Sequence, residues 1–243
     1  MIELQNLRKS YDGGRVVAVD DLSLTVRPGE IFGFLGPNGA GKTTTIKMMV
    51  GILTPDAGRV IIDGIDMAER PIEAKRRIGF VPDTPEVYER LTGIEYLRFL
   101  ADVYGVDARQ RRERIERLAS LFQLEDALGD RIASYSHGMR QKLVLIGALL
   151  HDPPVWVLDE PMVGLDPRSA HDLKNLMAEH CAAGRTVFFS THILDVAERL
   201  CHRVGIIHRG RLVACGTLEE LRAQAAAGSE TLESLFLELT GHE

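Results

Sequence analysis

One glycine-rich segment constrains the fold of this chain more than any other feature of its sequence. The segment is Gly36-Pro37-Asn38-Gly39-Ala40-Gly41-Lys42-Thr43, which fits the pattern GxxxxGK[ST]. It lies between a near-continuous apolar run, Ile31 to Leu35, and a predicted helix that begins at Lys42 and stops at Gly51. A strand, a glycine-rich loop and a helix in this order predict a phosphate-binding loop within an α/β fold.

The residue types in this loop suit the binding of phosphate groups. Glycines let the backbone turn its N–H groups toward phosphate oxygens, and the start of the following helix adds positive potential. Lys42 can then reach the β and γ phosphates of a nucleotide, and the hydroxyl of Thr43 can bind Mg²⁺. The alternative is a glycine turn that merely precedes an ordinary helix.

Two adjacent carboxylates follow a second predicted buried strand, Val155 to Leu158. One carboxylate at such a strand end can hold the Mg²⁺ that bridges nucleotide phosphates, and a second can polarise an attacking water. Because neighbouring side chains on a strand point to opposite faces, we expect Asp159 and Glu160 to have different roles. Without the phosphate loop, two acids in this place would fit a capping or turn role equally well.

The segment from Tyr135 to Lys142 opens a predicted helix that runs into the apolar residues Leu143 to Leu150. Ser136 is the expected N-cap of this helix. A helix start that contains Ser136 and Gly138 is also suited to bind an anion. The sequence therefore predicts a second phosphate-binding helix start, far from the first.

Composition and charge disfavour several classes of protein. The 243 residues include 29 Lys plus Arg and 35 Asp plus Glu, and the net charge of −6 disfavours a protein that binds nucleic-acid backbones. With 45% hydrophobic and 26% charged residues, the chain is typical of globular proteins rather than of disordered or fibrous ones. The three cysteines form no CxxC pair, so we expect a reducing compartment and neither a disulfide framework nor a cysteine zinc site.

The sequence predicts no membrane-spanning segment. The N-terminus lacks the basic and apolar regions of a signal peptide, and the longest apolar run, Leu143 to Leu150, is far shorter than the roughly 20 residues that a span needs. If the function involves a membrane, we expect another chain to supply the spanning part.

Periodicity divides the chain into regions of different character, with no internal repeat. Half-buried strands are predicted near the N-terminus, a helical region from about Thr84 to Leu150, and buried strands at Thr186 to Ser190 and Val204 to His208. The charged run from Arg109 to Arg117 is expected to be a solvated helix face. An apolar stripe in Ser229 to Leu239 predicts a docked C-terminal helix, and its members are Leu232, Leu235, Phe236 and Leu239.

Taken in order, these segments resemble the ATP-binding cassette (ABC) ATPases over nearly the whole chain. The ordered matches are Tyr11, the phosphate loop from Gly36, a coupling loop near Asp83, a signature segment from Tyr135, the pair Asp159 and Glu160, Gly164-Leu165-Asp166, and Ser190-Thr191-His192. The resemblance implies a P-loop NTPase (RecA-like) α/β core with an N-terminal antiparallel β region and an inserted α-helical subdomain. It implies a single domain over 1–243, with the core in 1–83 and 151–216, the helical subdomain in 84–150 and a C-terminal helical segment in 217–243.

The resemblance also implies roles for individual residues. Glu160 would be the general base and His192 would contact the γ-phosphate, although a lone histidine after a strand is otherwise a structural residue. Mg²⁺ would be held by Thr43, Asp83 and Asp159. Residues implied to bind ATP are Tyr11, Gly36, Pro37, Asn38, Gly39, Ala40, Gly41, Lys42, Thr43, Thr44, Ser136, Gly138 and Asp166.

Members of this family work as head-to-tail dimers, in which the phosphate loop of one subunit and the signature segment of the other enclose each ATP. This arrangement would explain why one chain contains two phosphate-binding helix starts. Tyr11 would stack on adenine, because the Asp12-Gly13-Gly14 loop exposes its ring, or else be an ordinary half-buried aromatic. Asp166 would lie at the subunit interface. We expect the other histidines, His137, His151, His171, His180, His202, His208 and His242, to be surface or structural residues.

The sequence departs from the usual family pattern in two places. Asp83 stands where the family usually has Gln, and an ionised Asp only accepts hydrogen bonds and is one methylene shorter. It can bind Mg²⁺ through water, but its part in sensing the γ-phosphate is left open. In the signature, Tyr135, His137 and Met139 replace the usual first, third and fifth residues. The resulting segment is similar to that of ABC-2 type cassettes, which favours export over import.

We therefore expect an ATP-hydrolysing subunit of an ABC-2 type exporter, working as a homodimer or pseudo-dimer on a separate transmembrane permease. The expected cofactors are ATP and Mg²⁺, the expected location is the cytoplasmic face of the membrane, and no nucleic acid is expected as a partner. The alternatives are a soluble ABC ATPase that acts in macromolecular assembly and a non-hydrolysing regulatory cassette. The transported substrate is not encoded in any of these motifs.

Overall fold

Two β-sheets organise the chain in this computed structural model, which describes residues 1–224 and 231–241. The strands are β1 (Ile2–Tyr11), β2 (Val16–Val26), β3 (Ile31–Leu35), β4 (Ala57–Ile62), β5 (Ile65–Asp66), β6 (Ile78–Val81), β7 (Val155–Asp159), β8 (Thr186–Thr191), β9 (Arg203–His208) and β10 (Arg211–Gly216). The helices are α1 (Lys42–Met49), α2 (Pro71–Arg76), α3 (Gly93–Val103), α4 (Ala108–Leu121), α5 (His137–Leu149), α6 (Pro167–Ala182), α7 (Leu194–Leu200), α8 (Leu218–Gln224) and α9 (Leu232–Thr240).

The larger sheet is parallel except at one edge. Its strand order is β10-β9-β3-β8-β7-β6, and only the edge pair β10 and β9 is antiparallel. Every residue of β3, β7 and β8 is buried, as expected for strands of a sheet that is covered on both faces. Because these strands run in parallel, the segments that follow β3, β6, β7 and β8 all emerge at the same edge of the sheet. This edge is where open α/β sheets bind their ligands.

The smaller sheet is antiparallel and has the order β2-β1-β4-β5. In β2, alternate residues from Leu22 to Val26 are buried and pack with Ile2, Leu4 and Leu7 of β1 in one apolar core. The predicted α/β fold, with an N-terminal antiparallel region, is therefore confirmed.

Helices α3, α4 and α5 pack together between β6 and β7 in the chain. The helical pattern predicted from Thr84 begins only at Gly93, because Thr92 caps α3 in a capping box with Glu95. Most charged residues of α4 are exposed, but Arg111 and Arg114 are partly buried, and Arg114 donates to the carbonyl oxygen of Leu150 at 2.6 Å. Ile115 and Leu118 are buried.

The region between Gly51 and Thr84 was not predicted in detail. The sequence analysis assigned no element between Gly51 and Thr84, where the structure has β4, β5, α2 and β6. These strands are short, and β4 is buried at only two of its six positions, so no strong periodicity marks them.

The predicted C-terminal helix is confirmed as a docked element over Leu232–Thr240. Leu232 and Leu235 are buried against α7 and β9, and Phe236 and Leu239 pack beside them. Ser229 and His242, which the sequence analysis also considered, lie outside the described residues. None of the helices in the described ranges has the length and apolar character that a bilayer crossing requires.

Candidate functional site

The loop between β3 and α1 is held in shape by close backbone contacts. A Cβ on Gly41 would lie 2.4 Å from the carbonyl oxygen of Ala18, and Gly41 has a φ of 108°, so only glycine fits without strain. A Cβ on Gly36 would lie 2.5 Å from the carbonyl oxygen of Ile207. The N–H of Gly210 donates to the carbonyl oxygen of Ala40 at 2.9 Å. Strand β2 and the β9–β10 turn therefore support this loop from outside.

Lys42 lies at the start of α1 with its ammonium group turned back into the loop. Its Nζ donates to the carbonyl oxygens of Gly36 at 2.6 Å and Pro37 at 3.1 Å, and the residue is 7% exposed. Burial lowers the pKa of Lys42, while the carboxylates of Glu160 and Asp159 oppose this change. The lysine thus faces two carboxylates and occupies weak carbonyl acceptors that a stronger anion can replace.

A cleft of about 240 Å³ lies beside this lysine. Its lining residues are Ala18, Asn38, Gly39, Gly41, Lys42, Thr43, Thr44, Asp83, Asp159 and Glu160. The fold therefore brings the loop together with residues from the ends of β6 and β7, as the sequence analysis predicted. Gly36, Pro37 and Ala40 belong to the same loop but do not line the cleft, since Gly36 and Ala40 are buried beneath it.

Asp159 is the last residue of β7 and is almost fully buried, at 1% exposure. Burial raises the pKa of its carboxyl group, hydrogen bonds from Ser190 and Thr43 act in the opposite direction, and the nearby carboxylates of Asp83 and Glu160 raise the pKa further. The Ser190 hydroxyl donates to Oδ1 of Asp159. A cation in the cleft would therefore relieve the repulsion among these three acids.

The oxygen atoms of Thr43 and Asp159 fit a bound Mg²⁺. The two side chains are hydrogen-bonded to each other, which places a hydroxyl and a carboxylate at one point of the cleft. In the described part of the chain, no three His, Cys, Asp or Glu side chains are grouped closely enough to hold a metal by themselves. Mg²⁺ is usually held by one or two protein oxygens together with water and substrate phosphates, and this donor set suits that mode.

Glu160 follows Asp159 directly, yet both side chains line the same cleft. The strand ends at Asp159, and Glu160 has a left-handed φ of 48°, so the alternation of a strand does not extend to it. Its backbone N–H donates to Oγ of Ser190 at 3.0 Å, and its Oε2 lies 3.0 Å from Nδ1 of His192. His192 thereby joins the site through Glu160. Strand alternation was expected to place the two acids on opposite faces of the sheet. The turn at Glu160 instead brings both side chains to one cleft.

Asp83 contributes a third carboxylate from the segment after β6. The residue is exposed, and Oδ1 accepts the N–H of Thr84 at 2.8 Å. This hydrogen bond helps to hold the side chain, which lines the same cleft as Thr43 and Asp159.

Besides Gly36, Pro37, Ala40 and His192, four more of the predicted site residues do not line this cleft. Tyr11 is the last residue of β1 and is 41% exposed. Ser136 caps α5, as predicted, by accepting the N–H of Met139 at 3.2 Å, and Gly138 lies in the first turn of that helix. Asp166 caps α6 and forms an ion pair with Lys142. Within one chain, the cleft therefore contains only the predicted site residues of the phosphate loop and of the segments that follow β6 and β7.

Sequence reasoning missed three residues that shape the site. Ala18 approaches the loop through its backbone, which no side-chain pattern reveals. Ser190 was quoted only as part of a motif, although it holds both Asp159 and Glu160. Lys142 was noted only as the last residue before the apolar run of α5. Its partner Asp166 is distant in sequence.

Comparison with known proteins gives a consistent match. Residues 19–163 match the family described as ABC transporter. The ABC-type transporter ATP-binding protein EcsA of Bacillus subtilis is 38% identical, over 97% of this chain and 98% of its own. The Nod factor export ATP-binding protein I of Burkholderia pseudomallei is 40% identical, over 96% of this chain and 75% of its own. The probable multidrug ABC transporter ATP-binding protein YbhF of Escherichia coli is 37% identical over 98% of this chain, which spans 41% of the length of YbhF.

Solved structures agree with the sequence relatives. The structure of an ATP binding subunit of an ABC transporter has a TM-score of 0.94 and 38% identity, covering 98% of this chain and 99% of that chain. A dimeric ATP-binding cassette in a post-hydrolysis state, bound to ADP and Pi, has a TM-score of 0.81 and 26% identity, covering 90% of this chain and 99% of that chain.

Proposed function

This chain is an ATPase cassette that belongs to the ABC transporter family, and we propose that it powers export through a separate membrane protein by binding and hydrolysing ATP. The observation that carries the proposal is the single cleft in which Lys42, Thr43, Asp159 and Glu160 meet. This cleft combines a phosphate-binding loop, a pair of oxygen donors for a metal and a carboxylate held by a histidine.

Phosphate binding is proposed for the loop and for Lys42. Gly41, Lys42 and Thr43 line the cleft at the start of α1, and a helix start favours a negatively charged ligand. When ATP enters, the ammonium of Lys42 exchanges the carbonyl oxygens of Gly36 and Pro37 for the β and γ phosphates. The exchange also gives the buried ammonium group anionic hydrogen-bond acceptors in place of neutral carbonyl oxygens.

Metal binding is proposed for Thr43, Asp159 and Asp83, which line the same cleft. Mg²⁺ held by these residues would supply positive charge against the negative charge that develops on the phosphate oxygens during transfer. Ser190 orients the Asp159 carboxylate by donating a hydrogen bond to Oδ1.

The proposed hydrolysis is an in-line attack of water on the γ-phosphorus. Glu160 accepts a proton from the water, the new P–O bond forms to the water oxygen, and the bond between the γ-phosphorus and the β,γ-bridging oxygen breaks. The products are ADP and inorganic phosphate. His192 holds Glu160 in place through the Nδ1 to Oε2 hydrogen bond, and its exposed ring would also contact the γ-phosphate.

A head-to-tail dimer is proposed because Ser136 and Gly138 lie outside the cleft that they would be expected to serve. In a dimer, the start of α5 from one subunit would close the cleft of the other and present free N–H groups to the γ-phosphate. The dimeric cassette among the similar structures supports this arrangement. Tyr11 would stack on adenine, and Asp166 would lie near the subunit interface.

Docking of a membrane protein is proposed for an exposed apolar surface near Asp83. We define the Tyr88 patch as Tyr88, Arg90, Leu91 and Phe99, which line one shallow depression. Tyr88 is 60% exposed and Phe99 is 44% exposed, and their rings pack edge to face at 5.9 Å. Exposed aromatic surfaces of this kind mark protein interaction sites. The patch begins with Tyr88, shortly after Asp83 in the chain. Docking here would therefore displace the segment that carries Asp83 into the cleft.

Export rather than import is proposed on the names of the relatives, which include a Nod factor export protein and a probable multidrug transporter. On this proposal the whole of 1–243 acts as one ATPase domain. The helical region 84–150 would face the membrane partner at the cytoplasmic surface, and the core in 1–83 and 151–216 would bind ATP.

The experiment that tests this function uses Glu160→Gln with Glu86→Gln as the matched control, since Glu86 is exposed and outside the cleft. Light scattering with and without Mg-ATP measures the mass, and a phosphate-release assay measures turnover. We expect the parent and Glu86→Gln to hydrolyse ATP. We expect Glu160→Gln to lose turnover and to become a dimer only with ATP.

Two results would contradict the proposal. A Glu160→Gln protein that hydrolyses ATP as fast as the parent would show that another group activates the water. A parent that binds ATP but neither hydrolyses it nor dimerises would favour a non-hydrolysing regulatory cassette.

A further inference from the structure

A pocket at the C-terminal end of α1 lies apart from the ATP cleft, and the proposed function does not use it. We call it the α1–α2 pocket, because α1 and the turn after it form its walls together with β4, the segment after β5, and α2. Its volume is about 330 Å³, which is within the range of small-molecule sites. None of its lining residues also lines the cleft beside Lys42, so the two places can be occupied independently.

The inner wall of the α1–α2 pocket is apolar. Met48 of α1 is fully buried, and Val60 of β4 and Met67 after β5 are 3% and 8% exposed. Leu53 and Pro71 extend this wall toward the surface. Methionine side chains are flexible and polarisable, and their sulfur atoms make favourable contacts with aromatic rings. The wall therefore fits the apolar body of a ligand, including a flat ring system.

The turn after α1 brings a cationic side chain next to this wall. Gly51 has a left-handed φ of 70°, and the N–H of Leu53 donates to the carbonyl oxygen of Lys47 at 3.0 Å within the turn. A Cβ on Gly51 would lie 2.7 Å from Sδ of Met67 and 2.8 Å from Cε of Lys75. Because glycine has no side chain, a thioether of the wall and the end of the lysine chain both approach this point.

Both charged side chains that line the pocket are cations. Arg59 is already paired, since its Nε donates to Asp66 at 2.8 Å and its Nη2 donates to Glu69 at 3.5 Å. Lys75 is exposed, and within the described ranges no carboxylate lies at ion-pair distance from it. The pocket therefore presents an unpaired positive charge beside an apolar wall, and this combination favours a ligand with a negative charge.

We propose that the α1–α2 pocket binds a small carboxylate with an apolar body, such as an aromatic acid or a fatty acid of moderate length. The apolar body packs on Met48, Val60 and Met67, and the carboxylate pairs with Lys75 at the mouth of the pocket. One unpaired cation and a mostly apolar wall suit a single negative charge on an apolar molecule better than a phosphate group. The site does not depend on ATP hydrolysis, although Met48 lies on the helix that begins with Lys42.

The test uses isothermal titration of the full chain with two probes, 2-naphthoate and octanoate. Their matched counterparts are 2-naphthamide, which lacks the charge, and acetate, which lacks the apolar body. The proteins are the parent, Lys75→Met, Lys75→Arg and the control Arg76→Met. Arg76 is the next residue on α2 and is also exposed, but it does not line the pocket. Each titration is repeated in saturating Mg-ADP.

We expect both probes to bind the parent with a Kd on the order of 100 µM. Lys75→Met weakens both about fivefold, as the loss of an exposed ion pair implies, whereas Lys75→Arg and Arg76→Met bind them as the parent does. The affinity for 2-naphthamide is the same in the parent and in Lys75→Met, because this ligand makes no ion pair. Acetate binds at least about 100-fold more weakly than octanoate. Mg-ADP displaces neither probe.

Three results would overturn the inference. The first is that neither probe binds the folded parent up to about 5 mM. The second is displacement of the probes by Mg-ADP, which would place them in the ATP cleft. The third is equal weakening by Lys75→Met and Arg76→Met, which would mean that the probes respond only to the general charge of α2. None of these results bears on ATP hydrolysis, so the proposed function stands or fails separately.

Discussion

Nδ1 of His192 lies 3.0 Å from Oε2 of Glu160. With the carboxylate oxygen of Glu160 as acceptor, the Nδ1–H of His192 donates this hydrogen bond, and the His192 side chain is 57% exposed. Ser190, at the end of β8, holds the backbone N–H of the same glutamate. The residue proposed to activate water is therefore held at two points by the segment that ends β8.

The first prediction concerns this hydrogen bond. His192→Ala should lower kcat by about 100-fold, because a general base that is no longer oriented loses most of its effect. The KM for ATP should change less than kcat, since the phosphate loop remains intact and only the contact of His192 with the γ-phosphate is lost. Steady-state kinetics check this, with His171→Ala as the control, because His171 is an exposed residue of α6. Equal losses in the two variants would rule out a special role for His192.

The second prediction concerns Lys42. Lys42→Ala should weaken ATP binding by about 100-fold, because the cleft then presents acids to the phosphates without the cation that offsets them. Isothermal titration of ATP checks this. Lys47→Ala is the matched control, since Lys47 lies on the exposed face of the same helix, α1. Unchanged binding or turnover in Lys42→Ala would refute the assignment of the phosphate site.

The third prediction concerns the third carboxylate of the cleft. Asp83→Gln removes one negative charge that faces Thr43 and Asp159. It should raise the Mg²⁺ concentration needed for half-maximal ATP binding by about fivefold, and it should strengthen ATP binding in the absence of Mg²⁺. Fluorescent nucleotide titrations at several Mg²⁺ concentrations measure both changes. Glu86→Gln controls for the loss of a nearby surface charge, and a Mg²⁺ dependence identical to that of the parent would exclude Asp83 from the metal environment.

The fourth prediction concerns acid stability. Burial, with a contribution from Arg185, lowers the pKa of His180 to about 4, below the value of about 6.5 in an unfolded chain. The unfolded state therefore takes up the proton first, and stability falls as the pH drops from 6.5 toward 4. Between pH 7.5 and pH 5.0 this one residue should cost about 2 kcal/mol of the free energy of unfolding.

Chemical denaturation of the parent and of His180→Gln at these two pH values checks the acid effect. The variant should lose about 2 kcal/mol less than the parent between them. His151, whose pKa burial also lowers to about 4, remains in both proteins, so the difference isolates His180. Equal losses in the two proteins would mean that His180 takes up no proton in this range.

The fifth prediction concerns the Tyr88 patch. Replacing Tyr88 and Phe99 together by Ser should release the protein from the membrane fraction of its native cells, because the proposed contact loses its two exposed aromatic rings. The ATPase activity of the isolated protein should stay close to that of the parent. Replacing Val213 and Leu237 by Ser removes exposed apolar side chains from other elements and serves as the control. Retention of the double aromatic variant on membranes would place the docking surface elsewhere.

The sequence patterns predicted the reactive groups of the site more completely than they predicted the short secondary-structure elements. The phosphate loop and the strand that ends at Asp159 were predictable because both are local patterns with a strong apolar strand beside them. The elements β4, β5 and α2 were not assigned, because short and partly exposed segments have weak periodicity.

The sequence by itself determined the identity of the reactive groups: a lysine and a threonine after a glycine-rich loop, two acids after a buried strand, and a histidine after another. Only the tertiary structure determined which of these groups lie together and which residues hold them. The left-handed turn at Glu160 places it beside Asp159 in one cleft, and Ser190, from a neighbouring strand, holds both. The ion pair between Lys142 and Asp166 joins two helix starts that the sequence separates. The physical reason is that local patterns report the backbone of one segment, whereas these contacts depend on how parallel strands and helices are brought together.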